Sequence, residues 1–559
     1  MLPRMTIKST YLIALVSGYF MLVLNWAFFL KVYTYLFSLD EIHPGFLIAV
    51  PVLVYIFLFI LFSLLVIKGL TKLLLIPLVI LSAVVSYAAI HYGIIIDYLM
   101  IENVIETDAA EVSSYVNPAS IAYVTALGLI PAWLLYKTEI CYQRWYRELL
   151  TRAGLVAAMA VALAGVTFGY YQDFAAAGRN NHHIHKLIVP NQWAYSAAKF
   201  INRTYFHQPY VFQELGNDAH LVANSEKPVL LVLVLGETAR AKNYHYNGYT
   251  RQTNPYTEAR GFISLGSIES CGTATALSVP CMFSFMTRNQ YDKSLAENQS
   301  NLLDVIRKSG MDVRWVDNNS GCKGVCGNAA YVKIPTDKSR PGCDGDYCVD
   351  EVLLGELDRL LETPLTNNTV LVLHLIGSHG PNYYRRYPDR YRRFVPDCER
   401  SDIQNCSQEQ IVNTYDNTIL YTDFLLSRVA DRLQQQAGQL ESGVLYMSDH
   451  GESLGENGLY LHGMPWQLAP AEQKRVPGLL WLSGNYLQDH RLSLGCLSQI
   501  RQRSGLTQDY YAHSVLGLLG IATSIYDPLL DITQPCHIQA ERRDIRLSQK
   551  QHGAEHTHS

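Results

Sequence analysis

Long apolar runs dominate the first part of the chain, up to about Tyr171. Five of them are long enough, or nearly so, to cross a hydrocarbon core, which needs about 20 helical residues. The first run has the form of a signal peptide, but four more runs follow it and no small-residue cleavage site precedes them. The pattern therefore predicts a five-helix transmembrane anchor over residues 1–171. The runs lie near residues 11–31, 45–67, 70–92, 119–136 and 154–171.

The charged residues between these runs predict which way the anchor faces. The loop between the third and fourth runs carries five acidic residues and no basic one. Because basic loops remain in the cytoplasm, we expect a cytoplasmic N-terminus and an external location for everything after the fifth run. The basic residues before the first run, between the second and third, and between the fourth and fifth are Arg4, Lys8, Lys68, Lys72, Lys137, Arg144, Arg147 and Arg152.

A connector of residues 172–225 follows the anchor. Its segment "NQWAYSAAKFINRTY" (191–205) interleaves aromatic residues with Lys199 and Arg203, which is typical of an amphipathic helix on a bilayer surface. Membrane lipids are therefore expected partners of this segment. The stretch "NNHHIH" (180–185) has two readings, a metal cluster or solvated histidines in a linker.

The pattern changes after about Lys186, and residues 226–559 predict a separate α/β domain. Unbroken apolar runs of strand length are typical of fully buried parallel strands. Strands that alternate with helical patterns predict a doubly wound sheet, whose chemistry gathers at the carboxyl ends of its strands. The apolar runs lie at 227–240, 369–380, 443–451 and 476–484, and helical patterns lie at 301–310 and 418–436.

Ionisable residues follow three of the predicted strands. Glu237 follows the first, His379 the second, and Asp449 with His450 the third. Carboxylate and imidazole ligands of this kind suit a catalytic Zn²⁺ ion that keeps one coordination position open. An alcohol at that position would be activated as a nucleophile. Taken singly, each of these residues also fits a helix cap or a solvated turn.

The stretch "SCGTATALSVPC" (270–281) offers three such alcohols, Thr273, Thr275 and Ser278, between two cysteines. Ten of the eleven cysteines follow the last apolar run, mostly in close pairs, as an oxidising compartment favours. Zinc ribbons have similar spacings but need reduced thiols, which the predicted export disfavours. This stretch, residues 270–281, is called the stapled loop below. It is either a disulfide-braced loop that positions a nucleophile or a loop with a purely structural role. The predicted disulfides are Cys271–Cys281, Cys322–Cys326, Cys343–Cys348 and Cys398–Cys406, with Cys496 and Cys536 as a further candidate pair.

Five motifs mark the soluble half: "GETAR" with "NGYTRQTNP" (236–240, 247–255), "SCGTATALSVPCMFS" (270–284), "DNNSGCKGVC" (317–326), "GSHGP" (377–381) and "SDHGESLGENGLYLHG" (448–463). In combination they resemble the bacterial phosphoethanolamine transferases of the alkaline phosphatase-like superfamily. The five-span anchor matches too, so the resemblance covers nearly the whole chain. It is greatest to the branch that modifies lipid A, which includes the colistin-resistance enzymes. The resemblance implies an α/β/α alkaline phosphatase/sulfatase-like domain in the periplasm, behind a multi-pass anchor in a Gram-negative inner membrane.

The resemblance also implies the chemistry. Thr275 corresponds to the family's nucleophile, and its oxygen joins Glu237, Asp449 and His450 as ligands of one tightly bound Zn²⁺ ion; a second zinc during turnover stays open. Thr275 attacks phosphatidylethanolamine, diacylglycerol leaves, and phosphoethanolamine passes to a lipid A phosphate, which confers resistance to polymyxins. The residues that match positions around the transferred phosphate and the second zinc are Asn319, Ser320, Lys323, His379 and His462.

Three polar residues of the acidic loop, Asn103, Thr107 and Glu111, are spaced i, i+4 and i+8. This spacing puts them on one face of a helix. A solvated face is one reading. The other is a donor-lipid site in which Glu111 pairs with the headgroup ammonium, and the family resemblance favours it because the family has the same trio.

Other functions remain open at this point. A glycerol-phosphate transferase of the same superfamily also uses a threonine and five spans, whereas "SVPCMFS" lacks the C/S-x-P-x-R context of a sulfatase. A non-catalytic receptor would have lost metal ligands that are all present here. Core sugars of lipopolysaccharide and periplasmic glycans are alternative acceptors. The net charge of −4 and the lack of a basic stripe argue against nucleic acid, and we expect a monomer.

Overall fold

The apolar N-terminal runs form long helices in the computed structural model of the protein, which describes residues 6–37, 43–106, 115–170, 173–174, 184–206, 211–222, 227–400 and 403–538. A fifth span exists if the bent pair Ser9–Leu24 and Trp26–Leu36, which meet at 59°, counts as one. The helical anchor is therefore present, but its first span is broken. The four unbroken spans found within the described residues are Pro44–Leu65, Thr71–His91, Pro118–Lys137 and Trp145–Gly169.

The break in the first span centres on Asn25, a buried residue between the two helices. Its side-chain amide donates to the carbonyls of Phe20 and Val189, both at 2.9 Å. Its Oδ1 accepts from the backbone N–H of Val189 at 2.9 Å. A buried polar group in an apolar bundle needs such partners, so Asn25 ties the broken helix to the segment that precedes helix Asn191–Tyr205.

The helix predicted over residues 191–205 is present with those bounds. Its Arg203 donates from Nη2 to Oγ of Ser294 in the soluble domain at 2.6 Å. Met464 and Ala469 of the soluble domain are buried among side chains of the membrane helices. The soluble domain therefore rests directly on the anchor. Of the histidine stretch, residues 180–183 lie outside the described part of the chain.

The loop after the third span docks on the soluble domain through a short helix, Tyr98–Glu106. Glu102 of this helix lies 3.3 Å from Nζ of Lys293, and both side chains are more than 90% buried. Burial at this depth excludes the water that weakens surface ion pairs. The contact therefore forms a charged link between the anchor and the soluble domain.

A seven-stranded sheet forms the centre of the soluble domain, in the spatial order β2-β7-β6-β1-β5-β3-β4. Strands β6, β1, β5, β3 and β4 form a parallel set, and β7 is antiparallel to both β2 and β6. The strands are Val229–Gly236 (β1), Ile263–Glu269 (β2), Asp312–Asp317 (β3), Ala330–Lys333 (β4), Thr369–His374 (β5), Glu441–Ser448 (β6) and Arg475–Leu482 (β7).

The predicted α/β class is confirmed, with one correction. The run at 476–484 is a strand, but it is antiparallel rather than one of the parallel set. An unbroken apolar run indicates only that both faces of a strand are buried. It does not indicate whether the strand runs parallel or antiparallel to its neighbours. The sequence pattern also passed over β2, β3 and β4, which are shorter or partly exposed.

Helices cover both faces of the sheet. Alternate residues of β1 enter different cores, with Leu231 and Leu233 on one face and Leu230 and Val232 on the other. This alternation makes the domain an α/β/α sandwich. The main helices are Thr275–Met282, Leu302–Lys308, Leu354–Leu361, Gln408–Gln435 and Tyr510–Leu519.

All ten cysteines beyond the anchor form disulfides, in the predicted pairs. Cys496 and Cys536 form the fifth pair across 40 residues. Paired sulfurs are not available as thiolates, so the zinc-ribbon reading is wrong. The disulfide Cys271–Cys281 closes the stretch that carries the three hydroxyl side chains.

Candidate active site

Four buried side chains from three elements meet at the carboxyl edge of the sheet. Glu237 follows β1, Asp449 and His450 follow the adjacent β6, and Thr275 begins helix Thr275–Met282. The Oγ1 atom of Thr275 lies 3.2 Å from Oε2 of Glu237 and 3.3 Å from Nε2 of His450. That Nε2 atom lies 3.4 Å from Oε1 of Glu237 and 3.4 Å from Oδ2 of Asp449.

The donor atoms of this cluster fit a zinc ion. Ligand atoms of Glu237, Asp449 and His450 all lie within 4.8 Å of one another. The buried Oδ2 of Asp449 accepts no hydrogen bond from a described residue, and such an orphaned oxygen suits a cation. Nδ1–H of His450 donates to the carbonyl of Gly451 at 3.0 Å, which leaves Nε2 free of its proton and directed to the cluster. Burial lowers the pKa of His450, which favours the neutral imidazole that a metal needs.

The other two hydroxyls of the stapled loop have structural partners. Thr273 donates to the carbonyl of Met464 at 2.6 Å. Ser278 donates to the carbonyl of Asp449 and to Oε1 of Gln508. Thr275 is the hydroxyl that faces the carboxylates and the imidazole. The structure therefore distinguishes Thr275 from Thr273 and Ser278, which the positions in the sequence alone did not.

Asn319 lies behind Glu237 and fixes its carboxylate. Its Nδ2 donates to Oε2 of Glu237 at 2.7 Å and to the carbonyl of Leu375 at 2.9 Å. Its Oδ1 accepts from the backbone N–H of Ser320 at 2.7 Å. With both ends of the amide engaged, Asn319 presents its N–H groups, rather than its oxygen, to the carboxylate.

Two further residues, which the sequence did not single out, support Asn319. Nε2 of His374 lies 3.3 Å from Nδ2 of Asn319, and Nδ1 of His374 donates to Asp317 at 2.8 Å. Asp317 and His374 are register partners at the ends of neighbouring strands β3 and β5. Burial would raise the pKa of Asp317, but the hydrogen bond and charge of His374 and the charge of Lys333 lower it to about 2. The buried carboxylate is therefore ionised and fixes the orientation of the His374 ring through Nδ1.

A second histidine group borders the cluster. The rings of His450 and His462 lie 4.6 Å apart, and those of His379 and His462 lie 5.2 Å apart, measured between centroids. Glu452 accepts from Nδ1 of His462 at 2.9 Å and from the hydroxyl of Tyr383 at 2.5 Å. Sequence reasoning missed Glu452, although it stands in the "SDHGES" motif, two residues after His450.

Ser320 and Lys323 follow Asn319 in the loop after β3. The ammonium of Lys323 donates to the carbonyl of Ser320 at 3.2 Å. Lys323 adopts a positive φ of 51° in the loop closed by Cys322–Cys326, and it lines a cavity of about 280 Å³ beside Pro280 and Ser284. This places Lys323 next to the helix that Thr275 begins.

Asn103 lies on helix Tyr98–Glu106 and is not part of the cluster of Glu237, Asp449 and His450. It is buried and lines a cavity of about 480 Å³ between helices Thr71–His91 and Pro118–Lys137. The cavity walls are mainly apolar, which suits the chain of a lipid. Thr107 and Glu111 lie outside the described residues.

Two family models match the chain. The model described as Sulfatase matches residues 230–521, and the model described as Phosphoethanolamine transferase EptA/EptB matches residues 54–205. The first match spans every strand of the central sheet, and the second covers four of the apolar helices or parts of them. Together they confirm the predicted helical anchor with an alkaline phosphatase/sulfatase-like α/β/α domain.

Relatives cover almost the whole chain. Phosphoethanolamine transferase EptA of Escherichia coli K12 is 36% identical over 550 residues, which is 97% of this chain and 99% of the relative. Phosphatidylethanolamine transferase Mcr-1 of Escherichia coli is 33% identical over 424 residues, 73% of this chain and 77% of the relative. The structure of EptA, an integral membrane lipooligosaccharide phosphoethanolamine transferase of Neisseria meningitidis, superposes with a TM-score of 0.91 at 36% identity, covering 95% of this chain and 99% of that one.

Fold and site together define a membrane-anchored domain of the alkaline phosphatase-like class. Within this class, the chain belongs to the phosphoethanolamine transferase family.

Proposed function

We propose that the protein transfers phosphoethanolamine from phosphatidylethanolamine to a phosphate of lipid A, with Thr275 as the covalent carrier. The observation that carries the proposal is the buried contact of the Thr275 hydroxyl with the cluster of Glu237, Asp449 and His450. Family membership supports the identity of the transferred group, because the relatives are named for it. The stapled loop supports the role of the hydroxyl, because the disulfide holds it against the cluster.

In the first half of the reaction, the Thr275 oxygen attacks the phosphorus of the donor. A P–O bond to Thr275 forms, the P–O bond to diacylglycerol breaks, and diacylglycerol leaves with a proton. Oε2 of Glu237, 3.2 Å from the hydroxyl, is within reach of its proton. A zinc ion held by Glu237, Asp449 and His450 would act as a Lewis acid on the alcohol and on the phosphoryl oxygens. The N–H groups that begin helix Thr275–Met282 add positive potential for the phosphate.

In the second half, a phosphate oxygen of the acceptor attacks the phosphorus held on Thr275. The new P–O–P bond forms as the bond to Thr275 breaks, and the threonine oxygen regains a proton. His462 and His379 are the groups that move protons here, because Glu452 fixes Nδ1 of His462 and leaves Nε2 for the substrate. Asn319 holds Glu237, while Ser320 and Lys323, in the loop after β3, receive the phosphate.

The proposal extends to the organisation of the chain. Residues 1–171 anchor the protein in the inner membrane of a Gram-negative bacterium. Residues 172–225 connect this anchor to the catalytic domain, residues 226–559, which lies in the periplasm. The apolar helices and the match to an integral membrane relative support this placement. Asn103, with Thr107 and Glu111, receives the donor headgroup; the apolar cavity beside Asn103 supports this role.

The test is mass spectrometry of lipid A from a Gram-negative host that expresses the chain. We expect added phosphoethanolamine with the native protein, none with Thr275→Ala, and a reduced amount with Thr275→Ser, which keeps a hydroxyl. Resistance to polymyxin should follow the same order, because the added ammonium lowers the negative charge that attracts cationic peptides. Addition that persists in Thr275→Ala would contradict the assignment of the nucleophile.

The name of one relative supports a second candidate acceptor, a core sugar attached to lipid A. Kdo(2)-lipid A phosphoethanolamine 7''-transferase of Escherichia coli is 26% identical over 437 residues, 74% of this chain and 75% of the relative. If phosphoethanolamine appears on core sugars and not on lipid A phosphates, this acceptor replaces the proposed one. Elemental analysis of the purified protein tests the cofactor; Glu237→Ala and Asp449→Ala should each lose zinc.

A further inference from the structure

Two cationic side chains converge on one tryptophan beside the candidate active site. The guanidinium of Arg288 lies 3.4 Å from the ring centroid of Trp466, and Nζ of Lys474 lies 5.4 Å from the same centroid. All three residues are partly exposed. The ring attracts each cation through its negative face.

The two cations lack a carboxylate partner among the described residues. Within the described residues, neither Arg288 nor Lys474 forms an ion pair. The charges of Glu269 and Asp509 reach Arg288, but neither carboxylate forms an ion pair with its guanidinium: Glu269 pairs with Arg475 at 3.1 Å, and Asp509 accepts the backbone N–H of Arg288 at 2.8 Å. Two unneutralised cations on one ring repel each other. An anion that binds between them would relieve that repulsion.

The pair is attached to the stapled loop. Nε of Arg288 donates to the carbonyl of Cys271 at 3.1 Å, and the carbonyl of Lys474 accepts from the backbone N–H of Ser270 at 2.7 Å. Both residues therefore border the segment that leads into Thr275.

The pair also lies near the membrane. Trp466 stands between Met464 and Ala469, which are both buried among side chains of the helical anchor. Tryptophan is enriched at membrane–water interfaces. An anion that reaches this site is therefore best supplied as the headgroup of a lipid.

We propose that Arg288, Lys474 and Trp466 form the site that holds the anionic phosphate headgroup of the acceptor lipid. This inference rests on the proposed function, in which the two lipid substrates differ in charge. The donor headgroup carries an ammonium with its phosphate and is close to neutral, whereas an acceptor with phosphate monoesters is strongly anionic. The cation pair selects the second substrate over the first.

The experiment separates the two half-reactions in full-length protein purified in detergent. The first half-reaction, the loading of Thr275 with phosphoethanolamine, is measured from the intact mass of the protein after incubation with phosphatidylethanolamine. Transfer is followed by loss of that mass when loaded protein meets lipid A. The variants are Arg288→Gln, Lys474→Gln and the double variant; a charge-matched control, Arg359→Gln with Arg432→Gln, removes two cations from the outer helices.

In the double variant we expect loading within twofold of the native rate and transfer at low lipid A concentration reduced about tenfold or more. Transfer by the native protein should also weaken with added salt, and by the double variant much less. Lys474→Gln keeps the side-chain hydrogen bond of Arg288 to the stapled loop, so its transfer defect cannot come from a displaced Thr275.

Three results would overturn the inference. They are unchanged transfer in the double variant, equal losses in loading and transfer, and a loss of binding to phosphatidylglycerol vesicles with transfer intact. The last would mean that the pair attracts anionic membrane in general. Failure of the native protein to load Thr275 would instead contradict the proposed function, so the two failures are distinguishable.

Discussion

Replacement of Asn319 by alanine should weaken zinc binding while leaving every expected ligand in place. The amide of Asn319 donates to Oε2 of Glu237 at 2.7 Å and is held by the Leu375 carbonyl and the Ser320 N–H. Alanine removes that donor. The Glu237 carboxylate would then rotate more freely and carry one less hydrogen bond in a buried site.

The size of the effect follows from the kind of bond that is lost. A hydrogen bond to a charged group contributes about 1.5–3 kcal/mol. At 1.4 kcal/mol per factor of ten, zinc affinity should fall about tenfold to hundredfold, which is the range typical of residues that support metal ligands. Asn413→Ala is a matched control: Asn413 is also buried and donates to a carbonyl, that of Pro396, but it lies on helix Gln408–Gln435.

The assay is competition for zinc with a chelator of known affinity, run on full-length native, Asn319→Ala and Asn413→Ala proteins. Thermal unfolding of the zinc-free proteins shows whether a variant has simply lost its fold. Zinc affinity of Asn319→Ala within threefold of the native value would refute the positioning role. If transfer were lost in that case, Asn319 would instead act directly on the transferred phosphate.

Two further predictions concern buried charges. Asp317→Asn should lower the stability of the fold by about 2 kcal/mol at neutral pH, because the native pKa of Asp317, about 2, lies below its unfolded value near 4. This stabilisation is present above pH 4 and is lost as the pH falls toward 2. The unfolding free energies of the two proteins should therefore converge in acid, and a difference that stays constant with pH would contradict the prediction. Glu102→Gln should remove the carboxylate that lies 3.3 Å from Nζ of Lys293 and speed hydrogen exchange of helix Tyr98–Glu106. The double variant Glu102→Met with Lys293→Met should recover part of the loss, because no charge is then left buried without its partner. No difference between the single and double variants would refute the link.

Much of the fold could be predicted from the sequence because its strands are buried on both faces. The run that became β1 has eight buried residues without interruption, and those that became β5 and β6 are equally buried. Parallel strands bring their carboxyl ends to one edge, so Glu237 after β1 and Asp449 after β6 were expected to meet. In the structure both residues are buried, and their ligand atoms lie within 4.8 Å of each other, as this shared edge requires.

The remaining features depend on pairings that no local pattern encodes. Asp317 and His374 meet only because β3 and β5 pair in one register. Arg288 lies on the connection from β2 to β3, and Trp466 and Lys474 lie on the connection from β6 to β7, so their convergence depends on how these two connections pack against each other. The antiparallel direction of β7 is likewise set by its connections rather than by its own residues.

A short path of contacts links Thr275, the proposed nucleophile, to the helical anchor. Thr273, two residues before Thr275, donates to the carbonyl of Met464, and its own carbonyl accepts from Gly463 at 2.7 Å. Met464 is buried in the helical anchor. Both proposed substrates keep their chains in the bilayer, so their phosphorus atoms stay near its surface. The height of Thr275 above that surface is therefore set by the Thr273–Met464 contact and by the buried Glu102–Lys293 pair. Separation of the domain from the anchor would break the Thr273–Met464 contact and take Thr275, the proposed nucleophile, out of reach of both lipids, even with the cluster of Glu237, Asp449 and His450 intact.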